Sequence, residues 1–381
     1  MRTARIAIVG AGLSGMYAAY LLERMGIRDS IVLEARDIPG GRIASFDASG
    51  AAAAGTSTPA DAFDRFDLGP AWFWPDYQRQ LDRVVSDLGL ERFAQHEAGD
   101  MVVERVAGEP PMRLRGYASS PASMRLVGGM GTLIDALRRG VDETRILTGQ
   151  AVRRLRRADR HVELDSEDDG GRVTTWRARH VLLAMPPRLI AHTIAFSPAL
   201  PQALAEQWRD TPTWMAPHAK YIALYDSPFW RGQGLSGEAR SARGPLGEIH
   251  DASMPGGSAA LFGFFSVPAQ VRRDVPEDVL RLHCRAQFVR LFGPQAGAPR
   301  AEFIKDWACD PCTATAADMN GAAHHSEAPA AAALSGPWHG CLTGIASEWS
   351  PQFPGYVAGA IEAASLGVQA LAGFAAQEND F

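Results

Sequence analysis

The chain has 381 residues, 46% hydrophobic and 21% charged, which is the balance of an ordinary folded protein with length enough for two domains. Its net charge of -5 supplies no basic face to gather a phosphate backbone or an anionic lipid surface, so neither nucleic acid nor membrane is an expected partner. Four cysteines, Cys284, Cys309, Cys312 and Cys341, do not make a disulfide framework in a chain this large.

The N-terminal apolar run Ile6-Ala7-Ile8-Val9 stops at glycine and is too short for a signal-peptide core, and no run reaches the roughly 18 residues of a membrane span. A soluble cytoplasmic protein is the expectation. Arg5 to Val9 reads as a strand, Gly10 to Gly15 as a turn, Leu13 to Met25 as a helix and Ser30 to Glu34 as a second strand. This βαβ unit implies a parallel sheet with right-handed crossovers, an α/β Rossmann-like domain.

The turn Gly10-Ala11-Gly12-Leu13-Ser14-Gly15 puts glycine where the chain bends tightly, where backbone must approach a diphosphate, and where helix packs on strand. Free N–H groups at the helix start, Leu13 and Ser14 among them, face an anion. Glu34 follows at the end of the second strand, placed to accept from the hydroxyls of an adenosine ribose. Beyond it, Glu34-Ala35-Arg36 runs into Gly40-Gly41-Arg42, a second glycine pair and a cation that meet the diphosphate from its other side. A plain nicotinamide site needs no such element, so the cofactor expected is FAD.

Residues 48–62 are almost all Ala, Gly, Ser, Thr and Asp and suggest a mobile surface loop, and 321–335 is similar. Between them the pattern predicts helices over 77–88 and 131–139 and strands over 180–185 and 259–265. Cys309-Asp310-Pro311-Cys312 is a lone CxxC without a second pair, so no metal is expected there; His324-His325 has no assigned role. Lys220 and Lys305 are the only lysines.

With these motifs the sequence resembles the flavin-containing amine oxidases, the family of monoamine, polyamine and L-amino-acid oxidases. Asp67-Leu68-Gly69-Pro70-Ala71-Trp72 is similar to the glycine loop beside the flavin, and Val127-Gly128-Gly129-Met130-Gly131 to the segment re-entering the FAD domain. Val152 resembles the residue whose backbone meets adenine, and Met185-Pro186-Pro187 the strand end that crosses to the substrate domain. Ser347-Glu348-Trp349-Ser350 with Pro354-Gly355-Tyr356-Val357-Ala358-Gly359 resembles the closing motif, where a helix N-terminus faces the flavin pyrimidine.

The resemblance implies two discontinuous domains: FAD binding by 1–75, 126–198 and 338–381, and a substrate domain of mixed sheet and helices from 76–125 and 199–337. It implies that Lys220, in Ala219-Lys220-Tyr221-Ile222-Ala223-Leu224-Tyr225, holds a water against flavin N5, its pKa lowered by burial. Tyr356 matches one aromatic wall of the substrate cage. The facing position near Ala316 or Ala317 carries no ring, so the second wall is absent or comes from Trp72, Trp214 or Trp307.

Trp72 stands where amino-acid oxidases carry an arginine for the α-carboxylate, which favours an amine without one, although Arg115 or Arg125 offers a cation from another loop. The stretch between Trp72 and Gly128 is short for the family's helical roof, which suggests an open pocket. Cys312 lies where some members attach flavin, in surroundings that do not match, so noncovalent FAD is expected.

The implied activity is hydride transfer from an amine α-carbon to FAD, with O2 as acceptor, hydrolysis of the imine and release of H2O2. A dehydrogenase or desaturase with another acceptor, or a non-catalytic FAD-binding scaffold or redox sensor, are the alternatives. Association into a homodimer is left open.

Overall fold

The computed structural model describes residues 1–50, 64–319 and 327–378, with side chains through 371. Most of the alanine-rich stretch over 48–62, and His324-His325, therefore lie outside the described residues. The chain divides into two compact units, Met1–Arg42, Leu133–Ala216 and Pro311–Phe381 forming one, Ile43–Thr132 and Pro217–Asp310 the other.

The first unit is built on a mainly parallel sheet. Arg2–Val9 pairs in parallel with Ser30–Leu33 on one side and with Val173–Leu183 on the other, and Ser30–Leu33 continues to Ile146–Leu147. Continuous apolar runs, rather than alternation, suit strands covered on both faces, and Ile6 to Val9 are all buried. Beyond Val173–Leu183 the sheet turns antiparallel through His161–Glu167 and Ala151–Ala158 and ends on Ala195–Ser197, while Leu342–Gly344 also pairs with Val173–Leu183. Helix Leu13–Arg24 buries Leu13, Met16, Ala18, Ala19 and Leu22 and packs against the C-terminal helix Val357–Glu378. Trp176, Trp208, Trp338 and Trp349 join the core of this unit. Helix Pro187–Thr193 also lies in it.

The second unit carries a seven-stranded sheet in the order Ala301–Asp306, Ala219–Tyr225, Ala259–Phe265, Leu246–Asp251, Leu235–Ser241, Asp100–Glu104, Met112–Arg115. Strand Ala219–Tyr225 is buried at every position. Its alternation sends Tyr221, Ala223 and Tyr225 into a core with Trp230, Phe288 and Phe292, the last two from helix Glu277–Phe292. Ile222 and Leu224 face the opposite way, into a cluster with Phe66, Leu68, Ala260 and Phe262. Period two puts Lys220 on this second face, and that register decides what the lysine meets.

The helix expected over 77–88 begins later, at Arg79, and ends at Asp87. Gln78 is the reason: its backbone N–H and that of Tyr77 both donate to the Trp74 carbonyl, closing a separate turn ahead of the helix.

Candidate active site

In the first unit the glycine turn has the geometry of a diphosphate cradle. Gly10 has φ +103°, and a Cβ there would lie 2.8 Å from the Ala184 carbonyl oxygen. A Cβ on Gly15 would lie 1.9 Å from the Gly10 carbonyl oxygen, so helix and turn touch through backbone alone. At Gly12, by contrast, the nearest protein atom to an added Cβ is the Gly41 Cα at 3.8 Å. Space thus remains beside the helix start, where Gly12 caps Leu13–Arg24 without any side-chain acceptor. Unspent N–H groups, the positive end of the helix and an open approach together fit a diphosphate.

Glu34 is 3% exposed and fixed at the strand end: Oε2 accepts from the Ala11 N–H at 2.6 Å and Oε1 from the Arg36 N–H at 2.9 Å. Each oxygen keeps acceptor capacity for a ribose hydroxyl. Ala35 links it to Arg36, whose Nη2 donates to Thr313 Oγ1 at 3.1 Å. Gly41 has φ +61° and approaches Gly12, which holds the second glycine segment against the first.

Arg42 closes the cradle. Its guanidinium donates to both Glu348 oxygens, at 2.5 and 3.0 Å, and to Ser347 Oγ at 3.1 Å. The fork ties the second glycine segment to the closing motif, an arrangement the sequence spacing of some 300 residues gives no hint of. Val152 lies beside a register shift in strand Ala151–Ala158 and is buried.

Helix Val357–Glu378 begins directly after Tyr356, and Gly355 before it has φ +83°. Trp214 packs on both: a Cβ on Gly355 would lie 3.0 Å from Trp214 Cβ, and the Trp214 and Tyr356 rings stand 4.7 Å apart. Of the three tryptophans considered for a second wall, Trp214 is the one against Tyr356. Ala316 lies in the short helix Ala316–Met319, where Asp318 binds Arg188 and carries no ring.

In the second unit the glycine loop, Lys220 and the remaining aromatics converge. Lys220 is 2% exposed and lies in an interior strand, paired at Phe264 on one side and Lys305 on the other. Its Nζ donates to the carbonyls of Asp67 at 3.0 Å and Gly69 at 2.6 Å, and it lies 4.4 Å from the Phe262 ring. Burial pushes its pKa down from 10.5 to about 7; Asp67 opposes the fall and Arg125 adds to it.

The Asp67 carboxylate is buried as well, and its pKa is raised by that burial despite bonds from Ser45 Oγ at 2.5 Å and the Met130 N–H at 2.9 Å. Gly129, φ +74°, is needed here because a Cβ would strike the carboxylate at 2.8 Å.

Trp307 is pinned to the loop by Nε1 donating to the Leu68 carbonyl at 3.0 Å. Trp72 donates to Gln95 Oε1 at 2.8 Å and packs on His250, Phe262 and Phe264. Gly69, Pro70 and Ala71 are thereby held between a buried lysine and two indoles.

The two arginines considered for a carboxylate are both otherwise placed. Arg125 is 3% exposed and spends Nη1 and Nη2 on the carbonyls of Ser253 and Ala252, at 3.1 and 3.0 Å. Arg115 is exposed on the strand Met112–Arg115. Gln95, which holds Trp72, escaped the sequence reading, and so did the contact of Lys220 with the Asp67 carbonyl, although Asp67 itself was placed in the glycine loop; Phe262 and Phe264 could have been found from the alternation of Ala259–Phe265 once it was paired with the lysine strand.

A βαβ diphosphate cradle with an acidic ribose site and a second glycine-arginine element defines a dinucleotide-binding oxidoreductase fold. Residues 8–88 match the model of an NAD(P)-binding Rossmann-like domain, and residues 112–372, more than half of the chain, match that of the flavin containing amine oxidoreductases. The chain belongs to the flavin-containing amine oxidoreductase family.

It is 31% identical over 188 residues to a probable flavin-containing monoamine oxidase A of Dictyostelium discoideum, covering 48% of this chain and 39% of that one. It is 30% identical over 165 residues to putrescine oxidase of Kocuria rosea, covering 39% and 34%. The matches thus span about two fifths or less of these relatives' lengths. Among solved structures, cyclohexylamine oxidase from Brevibacterium oxydans IH-35A superposes with TM-score 0.76 at 20% identity, over 97% of this chain and 98% of that one. Putrescine oxidase bound to putrescine does so with TM-score 0.75 at 19% identity, over 97% and 99%. These likenesses are of fold.

The cofactor is FAD, held noncovalently. Cys312, the cysteine considered for flavin attachment, is half-buried in the first unit. Among the described residues no cluster of His, Cys, Asp or Glu could hold a metal, and no helix is long and apolar enough to cross a membrane.

Proposed function

We propose that the protein is an FAD-dependent amine oxidase acting on a primary or secondary amine that lacks an α-carboxylate. The single observation that carries this reading is Lys220, a buried primary amine anchored to the Asp67 and Gly69 carbonyls and brought to a pKa of about 7. The first unit would serve as the FAD domain and the second as the substrate domain, bounds that differ from the sequence expectation in moving 43–75 and 126–132 to the second unit and 199–216 and 311–337 to the first.

FAD bound there would supply the two-electron chemistry, accepting hydride from the amine α-carbon to leave an imine that water hydrolyses, with O2 as the acceptor that would be reduced to H2O2. The protein's share is position and electrostatics. Gly10, Gly12, Gly15, Gly41, Leu13 and Ser14 would seat the diphosphate through backbone, with Glu34 on the ribose and Val152 at the adenine. The Ser347-Glu348 segment and the helix starting at Val357 would face the flavin ring, whose negative charge on reduction a helix N-terminus stabilises.

Lys220 would hold a water by donating its third N–H when protonated, the other two being spent on carbonyls, and by accepting from the water through its lone pair when neutral. With a pKa of about 7 it can lose or keep its proton near neutral pH, so it can follow charge that develops beside it. Tyr356 and Trp214 would form the aromatic wall that holds the neutral amine, and Trp72 and Trp307 would fix the glycine loop. The presence of Trp72 in place of a carboxylate-binding arginine supports an amine over an amino acid.

Oxygen consumption and peroxide release with short aliphatic and aromatic amines test this reading. It requires Lys220→Met to slow flavin reoxidation by tenfold or more while FAD stays bound. A variant that reoxidises at the parent rate would remove the role assigned to the lysine.

A further inference from the structure

A cavity of about 740 Å³ opens within the second unit, between residues 93–98, residues 118–123, Arg231 and the turn at 253–257. The volume is that of a small-molecule site. Phe93, Ala122, Pro228 and Met254 make much of its wall apolar.

Against that wall stands one incompletely used cation. Arg231 donates through Nε to Asp251 Oδ2 at 2.8 Å. Asp251 is 1% exposed and is itself fixed by Trp230 Nε1 and the Ser253 N–H, each at 2.8 Å. Among the described residues Nη1 and Nη2 of Arg231 have no partner. The guanidinium is therefore aimed by one edge and open along the other, the edge that receives a carboxylate in bidentate pairs.

A second polar atom is also unspent: His96 Nε2 is buried with no partner among the described residues. Burial first, and Arg231 next, lower the His96 pKa, while Asp251 and the Ala98 backbone oppose this. These surroundings disfavour the charged form of the ring. Glu97, on the same wall, already accepts from the Ser119 N–H at 2.7 Å and its hydroxyl at 2.6 Å. Its charge is partly satisfied and would oppose a second negative group on a ligand.

We propose that this cavity binds a monocarboxylate with an apolar body of about one ring, its carboxylate on the open edge of Arg231. Its wall includes Gln95, which accepts from Trp72 Nε1 at 2.8 Å, so the cavity borders the support of the glycine loop, while the proposal itself does not depend on amine oxidation.

Three probes of one shape, one anionic and two neutral, test it: phenylacetate, phenylacetamide and 2-phenylethanol, titrated calorimetrically into the FAD-loaded protein. Phenylacetate is expected to bind at least tenfold more tightly than the other two. Arg231→Gln is expected to abolish that preference with FAD content unchanged. Because Arg231 also holds Asp251, a second variant is needed that keeps both: Ala122→Phe fills the cavity and is expected to weaken phenylacetate at least tenfold. Equal affinity for the three probes in the parent, tighter binding of either neutral probe, or unchanged phenylacetate affinity in Ala122→Phe would each overturn the proposal.

Discussion

Lys220→Met makes a thermodynamic prediction that needs no substrate. The parent lysine has a pKa of about 7 in the folded chain against 10.5 for an ordinary lysine. At about 1.4 kcal/mol for each tenfold change, that difference amounts to about 5 kcal/mol between burying the charged and the neutral amine. The sign follows from proton counting. Below pH 7 the group is charged in both states and the cost of burying it is fully present. Between pH 7 and 10.5 the folded state has released its proton and the unfolded state has not, so stability rises with pH, and above 10.5 the gain is complete.

Methionine keeps much of the length and never titrates. The stability of the parent minus that of Lys220→Met should therefore climb by about 2–3 kcal/mol from pH 6 to pH 9. Urea denaturation of the two proteins freed of FAD, at half-unit pH intervals, reads this difference directly. Asp67→Asn removes the carboxylate that opposes the fall in pKa, so in that background the rise should begin at lower pH. A parent-minus-variant difference that stays flat over this range would refute the buried, proton-releasing lysine.

Three further outcomes follow from the first unit. Gly15→Ala drives a methyl to within 1.9 Å of the Gly10 carbonyl oxygen, so it should cost about 1–3 kcal/mol or more and yield protein that purifies without the yellow of bound FAD. Glu348→Gln leaves Arg42 without a charged partner; as Arg42 is 26% exposed, the loss should be about 1–3 kcal/mol, read as a lower melting temperature and weaker FAD binding. Trp214→Ala removes a ring 4.7 Å from Tyr356, a contact worth about 0.5–1.5 kcal/mol, so KM for an amine should rise about 2- to 12-fold with a smaller change in kcat.

The parts legible in the sequence are those that local sterics dictate. Gly10 and Gly15 are glycine because a Cβ would collide with backbone, and such positions leave a spacing that can be read without any fold. Lys220 was singled out for a different reason: its strand resembles the one that carries the family's lysine, in a chain with only two lysines. What could not be read are the long-range pairings. Arg42 with Glu348, Trp214 with Tyr356 and Gln95 with Trp72 join residues that no periodicity relates.

Arg125 shows the limit most clearly: expected in a loop as a free cation, it lies in the strand Met124–Leu126 and donates to the carbonyls at 252 and 253. The start of the helix at Arg79 likewise hangs on one tertiary-independent detail, the turn closed on the Trp74 carbonyl, which apolar spacing does not encode.

The most direct test of the account is an anaerobic absorbance titration of the purified, FAD-loaded protein with a panel of amines and amino acids, followed by admission of air. The account predicts that one or more amines bleach the flavin band, that α-amino acids do so poorly, and that air restores the band with release of H2O2. A band that no amine bleaches, or one bleached by amino acids in preference to amines, would contradict it.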